Sequence, residues 1–408
     1  MSENRGAGRA ANQLRSADVV RAYQRKWLEE TRRRVSQGEP FVICHGDDFE
    51  DECNIMDIPV IVINYWNSVI GVKRMVEYYT DVLAKKGYPV DGVALGLAST
   101  LDNKPEIAPW GGLPKPAVIV GGRRYDLEMR VLEIWAREYG CTIWPLEFTL
   151  GTSIEKPPEP RWWERRKDHW DEMIDPPKLD VRVEEEKGLI RFLEVTTGKK
   201  FSIAKLNQAM ELRNEQMEYW GKVRDLIAET VPCPVSLRDQ LAMYQAMWHR
   251  GTTEGRDFIK AYYEEVKERV EEGVSACPNE KLRLMLIEGT PPAWERYVEE
   301  KYGAVCVCSF FSSIPIDAYA RTILNNDPLR TLAGCHMLLF SRTYDWYLKD
   351  AMIHKCNGIV GAGWHMSGAA RFCEKAGMPV CEIPRYSDDP EVRSILDTFI
   401  ERLLSKSR

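Results

Sequence analysis

The chain has 408 residues, 44% of them apolar, with 13 tryptophans, enough for more than one packed core. Against 62 acidic residues stand 56 basic ones, a net charge of −6, so the composition offers no positive field for nucleic acid. No apolar run approaches the roughly 18 residues that a membrane helix needs, and the Arg-rich start lacks a signal-peptide core, so a cytoplasmic protein with neither membrane nor nucleic-acid partner is expected. Eleven dispersed cysteines, with the C-x-C pair Cys306 and Cys308 inside an apolar run, do not read as a disulfide framework.

Apolar residues at helical spacing (Val19, Val20, Tyr23, Trp27) predict an N-terminal helix within residues 1–38. Next come the short apolar run 41–44, an acidic stretch over 47–52, the apolar run 58–64, a helical pattern over 69–86, and the strand 117–122 with its helix 127–139. A further strand at 142–145 completes a first α/β lobe over residues 39–154. The Pro-, Trp- and charge-rich stretch 155–180 predicts a connection. It opens a helical section that runs to residue 280, with helices over 201–231 and 237–276. From 281 to 408 the strand and helix alternation returns, with strands at 284–287, 304–308, 358–363 and 378–383. The fold class expected is α/β: two doubly wound, Rossmann- or flavodoxin-like parallel-sheet lobes with a helical middle section and an N-terminal helix.

Five blocks carry a resemblance in the second lobe: KLRLMLIEGTPPAW (281–294), GAVCVCSFF (303–311), NNDPLRTLAG (325–334), CNGIVGAGWHMSG (356–368) and AGMPVCEIPRYSDDP (376–390). The first lobe adds EIAPWGGLPKPAVIVGG (106–122) and MRVLEIWAREYGCTIWPLE (129–147). In this order the blocks resemble the subunits of 2-hydroxyacyl-CoA dehydratases and benzoyl-CoA reductases. The resemblance implies an acyl-CoA, plausibly aromatic, held in the cleft between two lobes, a paralogous partner subunit, and a [4Fe-4S] cluster on three cysteines. In the family that cluster receives single electrons from an ATP-hydrolysing activator. The three ligand places fall near Gly92, on Tyr125 and among Trp364, His365, Met366 and Ser367, and none carries a cysteine. The expectation is therefore a divergent subunit without a cluster of its own, with coenzyme A entering as part of the substrate and any [4Fe-4S] cluster held by a partner.

Strand ends in doubly wound folds carry the ligand-contacting loops, which makes His365 and Tyr125 candidates for polarising a thioester carbonyl or moving a proton. Arg123 and Arg124 are candidates for CoA phosphates, and Trp364, Ser367 and Cys335 for substrate contact. Each has a plainer reading: His365 satisfying a backbone group at its strand end, the arginines as surface charge, Trp364 as packing. The pair Gly121-Gly122 belongs to no phosphate-loop motif, which argues against ATP hydrolysis. Cys335-His336 is not a nucleophile pair, since neighbours on a helix point apart. No metal is assigned to Cys44, His45, Asp47 and Asp48, which read as a strand end and an acidic helix start. Two other readings stay open: a non-catalytic structural or regulatory subunit, and a radical enzyme whose cluster sits on displaced cysteines such as Cys44, Cys335 and Cys356.

Overall fold

The computed structural model describes residues 13–45, 50–90, 92–102, 104–122, 126–146, 160–287, 293–337, 343–362 and 366–406. Helix α1 (Arg15–Ser36) buries Ala17, Val20, Gln24, Leu28 and Thr31 at helical spacing and carries Arg33 and Arg34 in its last turn, where the helix dipole favours cations. Four short strands follow: β1 (Val42–His45), β2 (Val60–Val62), β3 (Val118–Gly122) and β4 (Thr142–Leu146). They form one parallel sheet in the order β2-β1-β3-β4, with Ile43 opposite both Ile61 and Ile119. The chain steps outward from β1 to β2, then crosses to β3 on the other side, so the topological switch lies between β1 and β3.

The helices of this lobe are α2 (Glu50–Ile55), α3 (Ile63–Val72), α4 (Val76–Lys86), α5 (Gly92–Leu101) and α6 (Asp126–Tyr139). Three of them differ from the sequence reading. The apolar run 58–64 is strand only through Val62, because α3 begins at Ile63. The pattern over 69–86 is two helices, separated where Arg74 takes φ 57°. Helix α5, in the Gly- and Ala-rich stretch that periodicity left unassigned, packs against α3 and α4.

The second sheet repeats the topology. Strands β5 (Leu282–Ile287), β6 (Ala304–Ser309), β7 (Gly358–Ala362) and β8 (Val380–Ile383) are all parallel in the order β6-β5-β7-β8, with the switch between β5 and β7. Its helices are α12 (Glu295–Tyr302), α13 (Pro328–His336), α14 (Tyr344–Ile353), α15 (Met366–Lys375) and α16 (Pro390–Lys406). Two four-stranded parallel sheets with flanking helices thus confirm the two-lobed α/β architecture.

Between the sheets run α7 (Trp162–Arg165), α8 (Pro176–Thr197), α9 (Ile203–Glu229), α10 (Leu237–Tyr244) and α11 (Thr253–Glu271). The stretch 155–180 was expected to be a connection, yet α8 starts inside it: Pro176 sits at a helix N-terminus, where its missing N–H and fixed φ are favourable. Helix α9 packs on α2, α11 and α13, and so touches elements from both ends of the chain. One core is continuous through both lobes, holding Ile43 and Val120 of the first sheet with Met285, Cys308 and Ile359 of the second. The other face of the second sheet packs Leu284, Leu286 and Val360 against Leu396, Phe399 and Ile400 of α16. Met285 and Ile287 face one core while Leu284 and Leu286 face the other, the period-two alternation of a strand buried on both sides.

Candidate functional site

The carboxyl ends of β1 and β3, and of β5 and β7, flank the two switch points, where doubly wound folds bind ligands. Tyr125, Arg123 and Arg124 follow Gly122 at the end of β3, and Trp364 and His365 follow Ala362 at the end of β7. All five lie outside the described residues. Tyr125 and His365 stand at the same offset from the third strand of their respective sheets. Ser367 falls in the first turn of α15. Gly121 has a packing role: a Cβ there would come within 2.1 Å of Leu132 Cδ1. Tyr386, which the sequence reading did not single out, braces the second switch. Its hydroxyl donates to the Ile287 carbonyl at 2.7 Å and accepts from the Ala362 N–H at 2.9 Å, tying the ends of β5 and β7 together.

A second polar assembly begins just after β1, in α2. Glu50, Asp51 and Glu52 are consecutive and all at most 2% exposed. Successive side chains on a helix diverge by about 100°, and each of these acids finds a different partner. Glu50 pairs with Arg250, whose guanidinium also donates to Tyr65 Oη at 2.9 Å and lies 4.2 Å from the Tyr319 ring centre. Tyr319 shares a 2.8 Å hydroxyl contact with Tyr244. Asp51 pairs with Arg213 of α9, both buried. Glu52 meets Glu186 of α8 and His336 of α13: His336 Nδ1 is 2.8 Å from Glu186 Oε1 and 3.9 Å from Glu52 Oε1.

Burial sets the acidities in this group. Burial, the nearby Glu186 charge and that of Asp51 push the Glu52 carboxyl well above its ordinary value. Burial pushes Glu186 the same way, but the positive charges of His336 and Arg182 outweigh it and hold Glu186 at about 2. A smaller buried nest sits in the second lobe, where Ser313 donates to Asp350 and Lys349 pairs with Asp317. Burial, opposed by Lys349, leaves Asp350 raised to about 6.

Ten of the eleven cysteines are buried and Cys141 is partly so. Their mutual contacts are pairwise: Cys44 with Cys53, and Cys308 Sγ with Cys356 Sγ at 3.8 Å. Cys356 precedes β7, at the edge of the sheet opposite the strand ends, whereas Cys44 lies near the carboxyl end of β1. Cys335 packs with Ile55, Leu206, Met210 and Leu332, while the adjacent His336 turns to Glu186. Burial raises Cys44, Cys306 and Cys308 well above the usual thiol range. Among the described residues, no three of these thiols gather within metal-ligand distance of one another.

A family model described as the D-component of 2-hydroxyglutaryl-CoA dehydratase matches residues 94–403. The chain belongs to this dehydratase family. The match starts within α5 and takes in β3 through β8, all the middle helices and most of α16; β1, β2 and α2 precede it. Over 222 residues the chain is 26% identical to the alpha subunit of (R)-2-hydroxyisocaproyl-CoA dehydratase from Clostridioides difficile, an alignment covering 49% of this chain and 53% of the relative. The chain thus spans about half the length of the curated relative it matches. Among the described residues, no helix is long and apolar enough to cross a membrane.

Proposed function

We propose that this chain is an acyl-CoA-binding subunit of the 2-hydroxyacyl-CoA dehydratase superfamily that carries no iron-sulfur cluster of its own, works in the cytoplasm and pairs with a related subunit. What supports this reading is family membership over residues 94–403 together with the absence of cysteine at the three places where the resemblance puts the cluster ligands, near Gly92, on Tyr125 and among residues 364–367. The pairing rests on the relative being named as an alpha subunit.

The thioester lies across the two switch points, with the chemistry done by polar groups at the strand ends and no redox step in this chain. Tyr125 and His365, at matching offsets beyond β3 and β7, donate hydrogen bonds to the thioester carbonyl. An N–H or O–H aimed at that oxygen stabilises the negative charge that builds there when a neighbouring C–H loses its proton, and a neutral imidazole can accept that proton. Arg123 and Arg124 meet the CoA phosphates, and Trp364 and Ser367 contact the acyl end. Tyr386 keeps β5 and β7 in register at the mouth.

The test is equilibrium binding of benzoyl-CoA, a 2-hydroxyacyl-CoA and free CoA to the full chain, alone and with its partner subunit. Binding of the thioesters, weakened about tenfold or more when Arg123 and Arg124 are both changed to Ala, supports the reading. A chain that binds none of them in either state contradicts it. Turnover unchanged in His365→Ala removes that residue from the chemistry.

A further inference from the structure

We propose that Glu52, Glu186 and His336 form a binding site for one first-row divalent cation of the Zn2+, Mn2+ or Fe2+ class. The three residues come from α2, α8 and α13, far apart in sequence, and one donor atom from each lies within 4.8 Å of the other two, all in buried side chains. Bonds of about 2.0–2.2 Å from such an ion to imidazole nitrogen and carboxylate oxygen put neighbouring donors about 3–4 Å apart. The 2.8 Å and 3.9 Å separations from His336 Nδ1 bracket that range. Two carboxylates and an imidazole are the mixed oxygen and nitrogen set that these cations accept and that soft-metal sites do not use.

The independent pointer is Glu52. Its side chain is fully buried, and its carboxylate finds no N–H or hydroxyl donor from any other described residue, only a second carboxylate, Glu186, whose Oε2 is likewise unmatched. Buried carboxylate oxygens without donors are costly and are ordinarily matched by a proton, a water or a cation. The cations nearby are committed: Arg213 to Asp51, and Arg182 to Glu185 at 2.9 Å, its Nε standing 3.8 Å from Glu186 Oε1. A dication with a neutral imidazole balances the two carboxylates and joins α2, just after β1, to the middle helices and the second half of the chain. The competing state is a metal-free triad in which an imidazolium and a shared proton do the same. Glu52 precedes the segment matched by the family model, while Glu186 and His336 lie within it.

The two states differ in metal content. Full-length protein, prepared without chelator or affinity tag and then exposed to Zn2+, Mn2+ or oxygen-free Fe2+ and desalted, is expected to keep about one ion per chain and to melt lower after chelation. Glu52→Gln, nearly isosteric, is expected to keep less than about a tenth of that ion. X-ray absorption at the metal edge should show oxygen and nitrogen neighbours with an imidazole signature. Wild-type protein that retains none of the three ions, an edge spectrum with sulfur neighbours, or a folded Glu52→Gln with full metal content would each overturn the proposal. Wild-type content and the edge spectrum decide the question even if the variant fails to fold.

Discussion

Helices α2 and α12 hold the same place in two sheets of the same topology, each following the first strand, but α2 buries three consecutive acids where α12 buries one. Helix α12 turns Val298 to the core beside Trp294, buries one acid, Glu295, at its start, and leaves Glu300 on the surface with Arg296. Helix α2 turns Glu50, Asp51 and Glu52 all inward and meets each with groups from the middle helices and α13. Behind α12 the core is dry, built from Leu284, Leu286 and residues of α16. Both sheets are tied to the middle helices by buried charge, the second through Arg283 of β5, which pairs with Glu280 and donates to the Ile227 and Ala228 carbonyls of α9, and the first through three consecutive acids of α2. Charges so deeply buried are held by geometry, so the comparison can be attacked one residue at a time.

The largest effect is expected at α2. Asp51→Ala leaves the Arg213 guanidinium buried without its carboxylate and should cost about 3–5 kcal/mol in denaturant unfolding. Replacing both, Asp51→Leu with Arg213→Met, should recover most of that loss, because the removal of a whole buried pair is far cheaper than that of half of it. A single variant no weaker than a surface substitution would dissolve the contrast between the helices. In the second sheet, Leu286→Ala should cost about 3 kcal/mol through lost burial and a cavity, with no dependence on salt.

Two buried histidines give the next effect. Burial holds His249, stacked on Trp248, down to about 3, and holds His354, at the end of α14, down to about 4, from an ordinary value of 6.5. The unfolded chain therefore takes up protons before the folded one. Their stabilisation is complete above about pH 6.5 and is lost as the pH falls towards 4 for His354 and 3 for His249, by up to about 1.4 kcal/mol per pH unit for each. Melting curves between pH 7 and 5 should show this, and His354→Asn should flatten part of the slope. Unchanged stability over that range would mean that both rings charge freely. The smallest effect is Tyr386→Phe, which should cost about 1 kcal/mol and weaken acyl-CoA binding more than folding, because the lost hydroxyl braces the strand ends and not the core.

The two sheets could be read in the sequence because their strands are short β-branched or aliphatic runs ended by Gly, as in Val118–Gly122 and Gly358–Ala362. The middle of the chain was harder. Pro176 and Pro177 signal a loop as strongly as they signal a helix start, and the periodicity of α8 is weak because Arg182 and Glu186 occupy its buried face. That same inversion hid the charge cluster. Three acids in a row read as an acidic helix start, Glu186 and Arg182 carried no signal, and His336 drew notice only as the neighbour of Cys335. Composition and spacing give no sign that a carboxylate lies inside when its partner is 150 residues away, as Glu186 is from His336. The expectation of a chain without a cluster rests on the sequence alone, on the absence of cysteine near Gly92, at Tyr125 and among residues 364–367.

The account turns on whether this chain holds an iron-sulfur cluster. The direct measurement is acid-labile sulfide and iron per chain, with a visible spectrum, on protein made without oxygen in a host that builds clusters and then titrated with acyl-CoA. The account predicts no labile sulfide, no broad absorbance near about 400 nm, and acyl-CoA bound all the same. Any single iron held without sulfide would belong to the Glu52, Glu186 and His336 site. About four iron and four sulfide per chain, with the corresponding colour, would contradict the account and return the protein to radical chemistry on displaced cysteines.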